Sequence, residues 1–378
     1  MTRSPRGKEG TTLLIRQTQT ELTIVPELDG VRGVAILLVL GFHFGRILPH
    51  SGRVLFGLGW AGVDLFFVLS GYLITRILWA TRENRSYFVS FYGRRILRIF
   101  PVAFAFLAAY FWIALPLAHH FGYDLDRNGS DQLWYWAYLA NWHYGLHGSL
   151  THLWSLSIEE QFYLIWPGVV FATSHRNLQR LCILLVVLPL SLRFLLMGVI
   201  HYSVLTEGMT FCRTEALALG ALIALSKEIR ILPWLAVPSA AGVLAIYAMF
   251  GSQGRIMGIY GLTLVALACA GFVQGVVKRA GNASVSSRLL RSPWLKRFGK
   301  YSYAIYVLHA PILSLAFHVH SSAPSPLWGF AVFFAGIALS YLAGWASWHF
   351  FESRILRLKR YFAYDRAEIQ TNEALATG

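Results

Sequence analysis

LDGVRGVAILLVLGFHFGRI, residues 28–47, decides the fold. It has the length that crosses a hydrocarbon core, roughly 20 mainly apolar residues. Nine similar stretches follow, near 59–79, 99–118, 153–173, 181–200, 211–226, 231–250, 258–277, 301–319 and 327–349. An even number of spans puts both termini on one side. Of the 33 Lys and Arg, 26 fall in the tails and even-numbered connections, four in the opposite connections and three inside spans. Lys and Arg accumulate on the cytoplasmic side, so the termini are expected there. The expected fold is all-α: a polytopic membrane protein of about ten transmembrane helices. A tail at 1–27, a membrane domain at 28–352 and a tail at 353–378 are its expected parts.

Composition supports this reading. Of 378 residues, 56% are hydrophobic, 15% aromatic and only 13% charged, against roughly a quarter charged in soluble domains. Disordered chains are poor in aromatics and rich in charge, so disorder is excluded. Cys182, Cys212 and Cys269 lie in apolar runs without disulfide or metal-ligand spacing. The net charge of +15 would suggest nucleic acid in a soluble protein. Here the basic residues stand between apolar runs, so topology is the better reading and no nucleic-acid partner is expected. The polar first 27 residues lack the apolar core of a secretory signal. DQLWYWAYLANWHYGLHGSL, 132–151, is aromatic and partly apolar. Counting it as a span would spoil the charge pattern, so it reads as an interfacial or re-entrant piece on the outer side.

Ionisable side chains inside spans are costly and mark functional candidates. Arg32 and His43 are 11 residues apart, so they share a helix face about 16 Å apart along the axis. Asp29, one turn before Arg32, faces the same way. The plain alternative is a snorkelling arginine and a hydrogen-bonded core histidine. The second span, GWAGVDLFFVLSGYLITRIL at 59–78, is interrupted by Asp64 and Ser70, while Gly59, Gly62 and Gly71 permit close helix approach. FYGRRILRIFP, 91–101, sets Arg94, Arg95 and Arg98 at the inner surface. That cluster serves either topology or a phosphate-bearing ligand, which guanidinium forks suit.

In WSLSIEEQFYLIWP, 154–167, Ser155 and Glu159 share a face, and Ser157 with Glu160 fits the spacing of a capping box. Glu159 is left unexplained by that box. Arg213 beside Glu215 reads as a structural ion pair. His309 has no evident partner in its own helix, and Glu352 closes the last span as an interfacial residue. Counted from span ends, His43, Asp64 and Glu159 fall within roughly 10 Å of the outer edge. Arg32 and the arginine cluster lie at the inner side. Such a charge-lined tract fits an enzyme or a transporter.

Six stretches in order carry a resemblance: LDGVRGVAILLVLGFH, GVDLFFVLSGYLIT, the Arg-Arg-x-x-Arg-x-x-Pro run ending at Pro101, WSLSIEEQFY, RTEALALG and YSYAIYVLH. Together they resemble the acyltransferase family 3 of bacterial membrane proteins, which O-acylate sugars and related acceptors, from about Leu28 to Glu352. The resemblance implies a ten-span helical domain in the bacterial inner membrane, with acyl-CoA, most often acetyl-CoA, as co-substrate and no permanently bound cofactor or metal. It implies that the essential Arg and His fall on Arg32 and His43, the basic motif on Arg94, Arg95 and Arg98, and the essential Glu on Glu159. Glu215 stands where many members have Asp, and Ser353 where many have Pro. Some members carry a further extracytoplasmic esterase-like domain; the 26 residues after the last span are expected to form only a tail.

The expected reaction follows from topology and resemblance together. Acyl-CoA enters from the cytoplasm, its phosphates held by Arg94, Arg95 and Arg98 with Arg32. His43 acts as general base on a hydroxyl of a carbohydrate or lipid-linked sugar, or carries the acyl group briefly. Glu159 or Asp64 is expected to hold its imidazole in the needed tautomer. Asp29, Ser70, Tyr72, Ser155, Arg213, Glu215 and His309 are expected to support substrate or structure. The alternative is a secondary transporter or acyl exporter using the same charged pathway.

Overall fold

Backbone polar groups in hydrocarbon must be satisfied within the segment, which restricts chains of this pattern to helices. The computed structural model describes residues 25–121, 131–143, 150–199, 208–251, 254–322 and 325–364, and no strand occurs among them. Of the expected tails at 1–27 and 353–378, residues 1–24 and 365–378 lie outside the described residues, as do residues 144–149. Among the described residues, ten main helices frame the molecule: α1 (Glu27–Gly45), α2 (Ala61–Thr81), α3 (Tyr87–Ala109), α4 (Leu153–Ala172), α5 (His175–Arg193), α6 (Thr214–Leu225), α7 (Leu232–Phe250), α8 (Leu262–Lys278), α9 (Pro293–Ser322) and α10 (Pro326–Ser347).

Among the described residues, eight helical segments are long and apolar enough to cross a membrane, those containing α1, α2, α3, α5, α7, α8, α9 and α10. The other two expected spans differ in character. α4 has 20 residues but carries Glu159, Glu160 and Gln161 in its middle. α6 has only 12 residues, nine of them buried, so it is an interior helix enclosed by α2, α5 and α8.

Two local expectations are corrected. α3 begins at Tyr87, well before residue 99, so Arg94, Arg95 and Arg98 stand on a helix and not in a connection. The helix runs through Pro101 and continues past a π-helical turn at Tyr110–Ala114 to His120. α4 begins at Leu153, so Ser157 lies inside it and donates to the Leu153 carbonyl (3.1 Å). No capping box forms there. The aromatic piece folds into short turns at Gln132–Trp136 and Ala140–Trp142. It is inserted alongside α4: Gln161 donates to the Tyr138 carbonyl (2.9 Å) and to Asn141 Oδ1 (2.8 Å).

Small residues set the tightest helix crossings, as expected where lipid removes the hydrophobic drive between helices. A Cβ on Gly71 would collide with the Leu217 backbone of α6, and one on Gly220 with the Val68 backbone of α2. α2 and α6 are thus locked backbone to backbone. Gly299 of α9 meets the Asp29 carbonyl of α1 equally closely, which brings the basic start of α9 beside Arg32.

Gly71→Ala is expected to destabilise the protein by about 1–3 kcal/mol through overpacking. Gly168→Ala, where an added Cβ meets no atom within 4 Å, should instead gain about 0.5–1 kcal/mol. Thermal unfolding in detergent reads both. A Gly71→Ala protein as stable as the parent would disprove the backbone lock.

Candidate active site

Three cavities lie in series along the helix bundle. The first, about 680 Å³, is basic. Arg32 from α1 and Arg94, Arg95 and Arg98 from α3 line it. Lys296, Arg297 and Lys300 from α9, and Lys359 from the segment after α10, complete the wall, with Asp29 as the single acidic residue among the described residues that line it. Arg32 contacts Asp29 at 3.5 Å across one helical turn. Arg94 lies over the Tyr364 ring and Lys300 over the Trp348 ring, at 5.7 and 4.5 Å from the centroids. Arg98 pairs with buried Glu352 at 3.1 Å. A π-helical turn at Trp348–Glu352 ends α10 and turns that carboxylate inward. Glu352 is therefore a partner of the arginine cluster and not an interfacial residue.

The second cavity, about 110 Å³, shares Arg32, Arg95 and Arg98 with the first. Its polar wall is a chain of hydroxyls on a carboxylate. Ser70 donates to Glu159 Oε1 (2.7 Å), and Tyr163 donates to Ser70 (2.9 Å). Arg95 stands over the Tyr163 ring at 5.0 Å. Ser155 and Tyr306, hydrogen-bonded to each other through their hydroxyls, also line it.

The third cavity, about 200 Å³, shares Val63 and Tyr306 with the second. His43 lines it together with His152, Arg213, Phe42, Trp60 and Trp154. His43 Nδ1 is 3.0 Å from the Val39 carbonyl and 3.3 Å from Nε2 of His309. His309 is fully buried, and its Nδ1 contacts the Tyr306 carbonyl at 2.6 Å. It therefore has a partner in its own helix and another in α1.

Neither carboxylate expected to orient His43 does so. Glu159 is committed to Ser70. Asp64 receives both hydrogen bonds of Arg213 Nη2, at 3.2 and 3.1 Å, in a pair exposed by 2% and 4%. The neighbouring Glu215 pairs with fully buried Arg193, so the ion pairs cross and the adjacent Arg213–Glu215 pair does not form. These clasps tie the start of α6 to α2 and α5. Tyr72 packs in the core with its hydroxyl 3.5 Å from Arg76 and lines none of the three cavities.

Several lining residues were not singled out in the sequence. Tyr163 stands one turn beyond Glu159 and could be found by that spacing. Lys296, Arg297 and Lys300 look like ordinary inner-surface charge. His152 and Tyr306 carry no sequence signal that separates them from core residues.

The acyltransferase domain family matches residues 25–345. The chain is 26% identical over 359 residues to O-acetyltransferase OatA of Staphylococcus aureus strain NCTC 8325, covering 88% of this chain and 57% of that protein. It is 28% identical over 344 residues to peptidoglycan O-acetyltransferase OatA of Listeria monocytogenes, covering 83% and 53%. It is 29% identical over 379 aligned positions to putative peptidoglycan O-acetyltransferase YrhL of Bacillus subtilis, covering 88% and 55%. The chain thus spans about half the length of the curated relatives it matches. No solved structure matches it.

Asp64→Ala strands the Arg213 charge in the interior, which costs roughly 3–5 kcal/mol. Adding Arg213→Met should recover much of that loss. Thermal unfolding of the two variants checks the pair, and equal instability of single and double variants would count against it.

Proposed function

The chain belongs to the acyltransferase 3 domain family, and on that footing we propose that it is a membrane O-acetyltransferase. It moves an acetyl group from acetyl-CoA on the cytoplasmic side to a hydroxyl of a cell-wall polysaccharide of the peptidoglycan class. Both termini face the cytoplasm of a bacterial inner membrane, in keeping with the Lys and Arg bias. The observation that supports this reading is the shared walls of the three cavities: a basic cavity at one end shares wall residues with a narrow polar waist, which in turn shares them with a cavity lined by His43.

Each cavity suits one part of the reaction. CoA presents a phosphomonoester and a pyrophosphate, and guanidinium and ammonium groups from α1, α3 and α9 answer them. The pantetheine arm is uncharged but rich in amide groups, which suits a waist of hydroxyls, Glu159 and apolar side chains. The aromatic rings of Phe42, Trp60 and Trp154 offer flat apolar faces to a sugar ring. His43 takes the proton of the acceptor hydroxyl. The acceptor oxygen then attacks the thioester carbonyl, the C–S bond breaks, and the proton passes from His43 to the departing sulfur. One ester and one free thiol result. Arg32 and His43, about 16 Å apart on one helix, mark the two ends that the arm must connect.

His43→Ala should lower transfer by at least about 10²-fold while the protein stays folded. The measurement is acetyl-dependent thiol release by detergent-purified protein given acetyl-CoA and a soluble glycan acceptor. A transporter would release no thiol, and retained activity in the variant would remove His43 from the reaction. Arg95→Ala and Lys300→Ala should raise the donor KM more than they lower kcat. The parent's donor KM should also rise with ionic strength, because salt screens the exposed part of this attraction. A donor KM indifferent to both would reduce the basic cavity to topology.

A further inference from the structure

The hydrogen bonds around His43 determine where its protons sit. A carbonyl oxygen only accepts, so His309 Nδ1, facing the Tyr306 carbonyl at 2.6 Å, carries a hydrogen. In the neutral ring, His309 Nε2 is then a lone pair. That lone pair faces His43 Nδ1 at 3.3 Å. His43 Nδ1 must therefore be the donor, and the Val39 carbonyl at 3.0 Å demands the same hydrogen independently. Two constraints from two helices agree, and Nε2 of His43 is left as the basic nitrogen. The ring planes meet at 46° with centroids 4.9 Å apart, so the rings are tilted to each other and not stacked.

We infer that His309 is the positioning residue of the reaction: its Nε2 lone pair accepts from Nδ1–H of His43 and stabilises the imidazolium that forms when His43 removes the acceptor's proton. This rests on His43 being the base, as proposed above. His309 thereby fills the place that a carboxylate holds in a Ser-His-Asp triad. A neutral acceptor suits this site because His309 is fully buried, and a second buried carboxylate there would carry a heavy desolvation cost. Both carboxylates expected to orient His43 are otherwise engaged, Asp64 by Arg213 and Glu159 by Ser70. The proton balance of the reaction is unchanged, since His309 only shares the Nδ1 hydrogen.

The test uses two variants and one spectrum on the whole protein in nanodiscs. His309→Gln keeps an acceptor oxygen within reach of His43, whereas His309→Leu keeps bulk and removes the acceptor. Leu is expected to lower kcat on the order of 10²-fold with an unchanged donor KM, and Gln to stay within about tenfold of the parent. Histidine-labelled ¹⁵N NMR of the parent, assigned with the same variants, should show His309 protonated at Nδ1 and bare at Nε2. A folded Leu variant with parental kcat, a Gln variant as impaired as Leu, or a protonated His309 Nε2 would each overturn the inference. Failure of the underlying reading shows separately, as activity retained by His43→Ala.

Discussion

A charge placed in hydrocarbon must meet an opposite charge or a water-filled cavity, and the bundle is organised around that requirement. Arg193 and Glu215 close one pair, and Arg213 and Asp64 close another. Both pairs converge on the start of α6, a helix too short to span a bilayer by itself. Held there by charge and by the Gly71–Gly220 crossing, α6 becomes an interior post against which α2, α5 and α8 pack. The cavities run beside this post, between α1, α2, α3, α4 and α9.

With those pairs closed, the remaining polar groups sort by depth. Positive charge gathers at one end, where, among the described residues, eight basic side chains face a single Asp29. Hydroxyls and Glu159 occupy the waist. The far end is served by imidazoles and by an arginine paired with Asp64. This order suits the proposed donor, whose charge must stay near water while its reactive end is drawn inward. It also explains why the π-helical turn after α10 matters: it delivers Glu352 to Arg98 at the mouth of the waist, tempering one cation where two cavities meet.

The spans were legible because hydropathy over 20 residues is a local property. The close approach of α2 through its glycines was legible for the same reason, and Gly59, Gly62 and Gly71 all meet neighbouring backbone. The start of α3 was not, because Arg94, Arg95 and Arg98 break the apolar run while remaining on a helix that opens onto a polar cavity. α4 begins where its span was expected, at Leu153, but the capping box was misread because a Ser and a Glu three apart also occur inside helices, where Ser157 bonds back to Leu153.

Partner choice was the least legible feature. Arg213 passes over Glu215, two residues away, for Asp64, 149 residues away, and His43 meets His309 across 266 residues. Taken alone, the sequence determined that the chain is a polytopic helical membrane protein, and its motifs carried the resemblance to the acyltransferase family and put forward Arg32, His43, Glu159 and the arginine cluster as candidate groups. Those properties reside in composition, periodicity and short motifs. Only the tertiary structure decided which carboxylate holds which arginine, that His309 and not a carboxylate attends His43, and that α9 adds its own cations to the basic cavity. Such choices depend on which helix faces meet in three dimensions, and spacing along one helix carries no record of the face across from it.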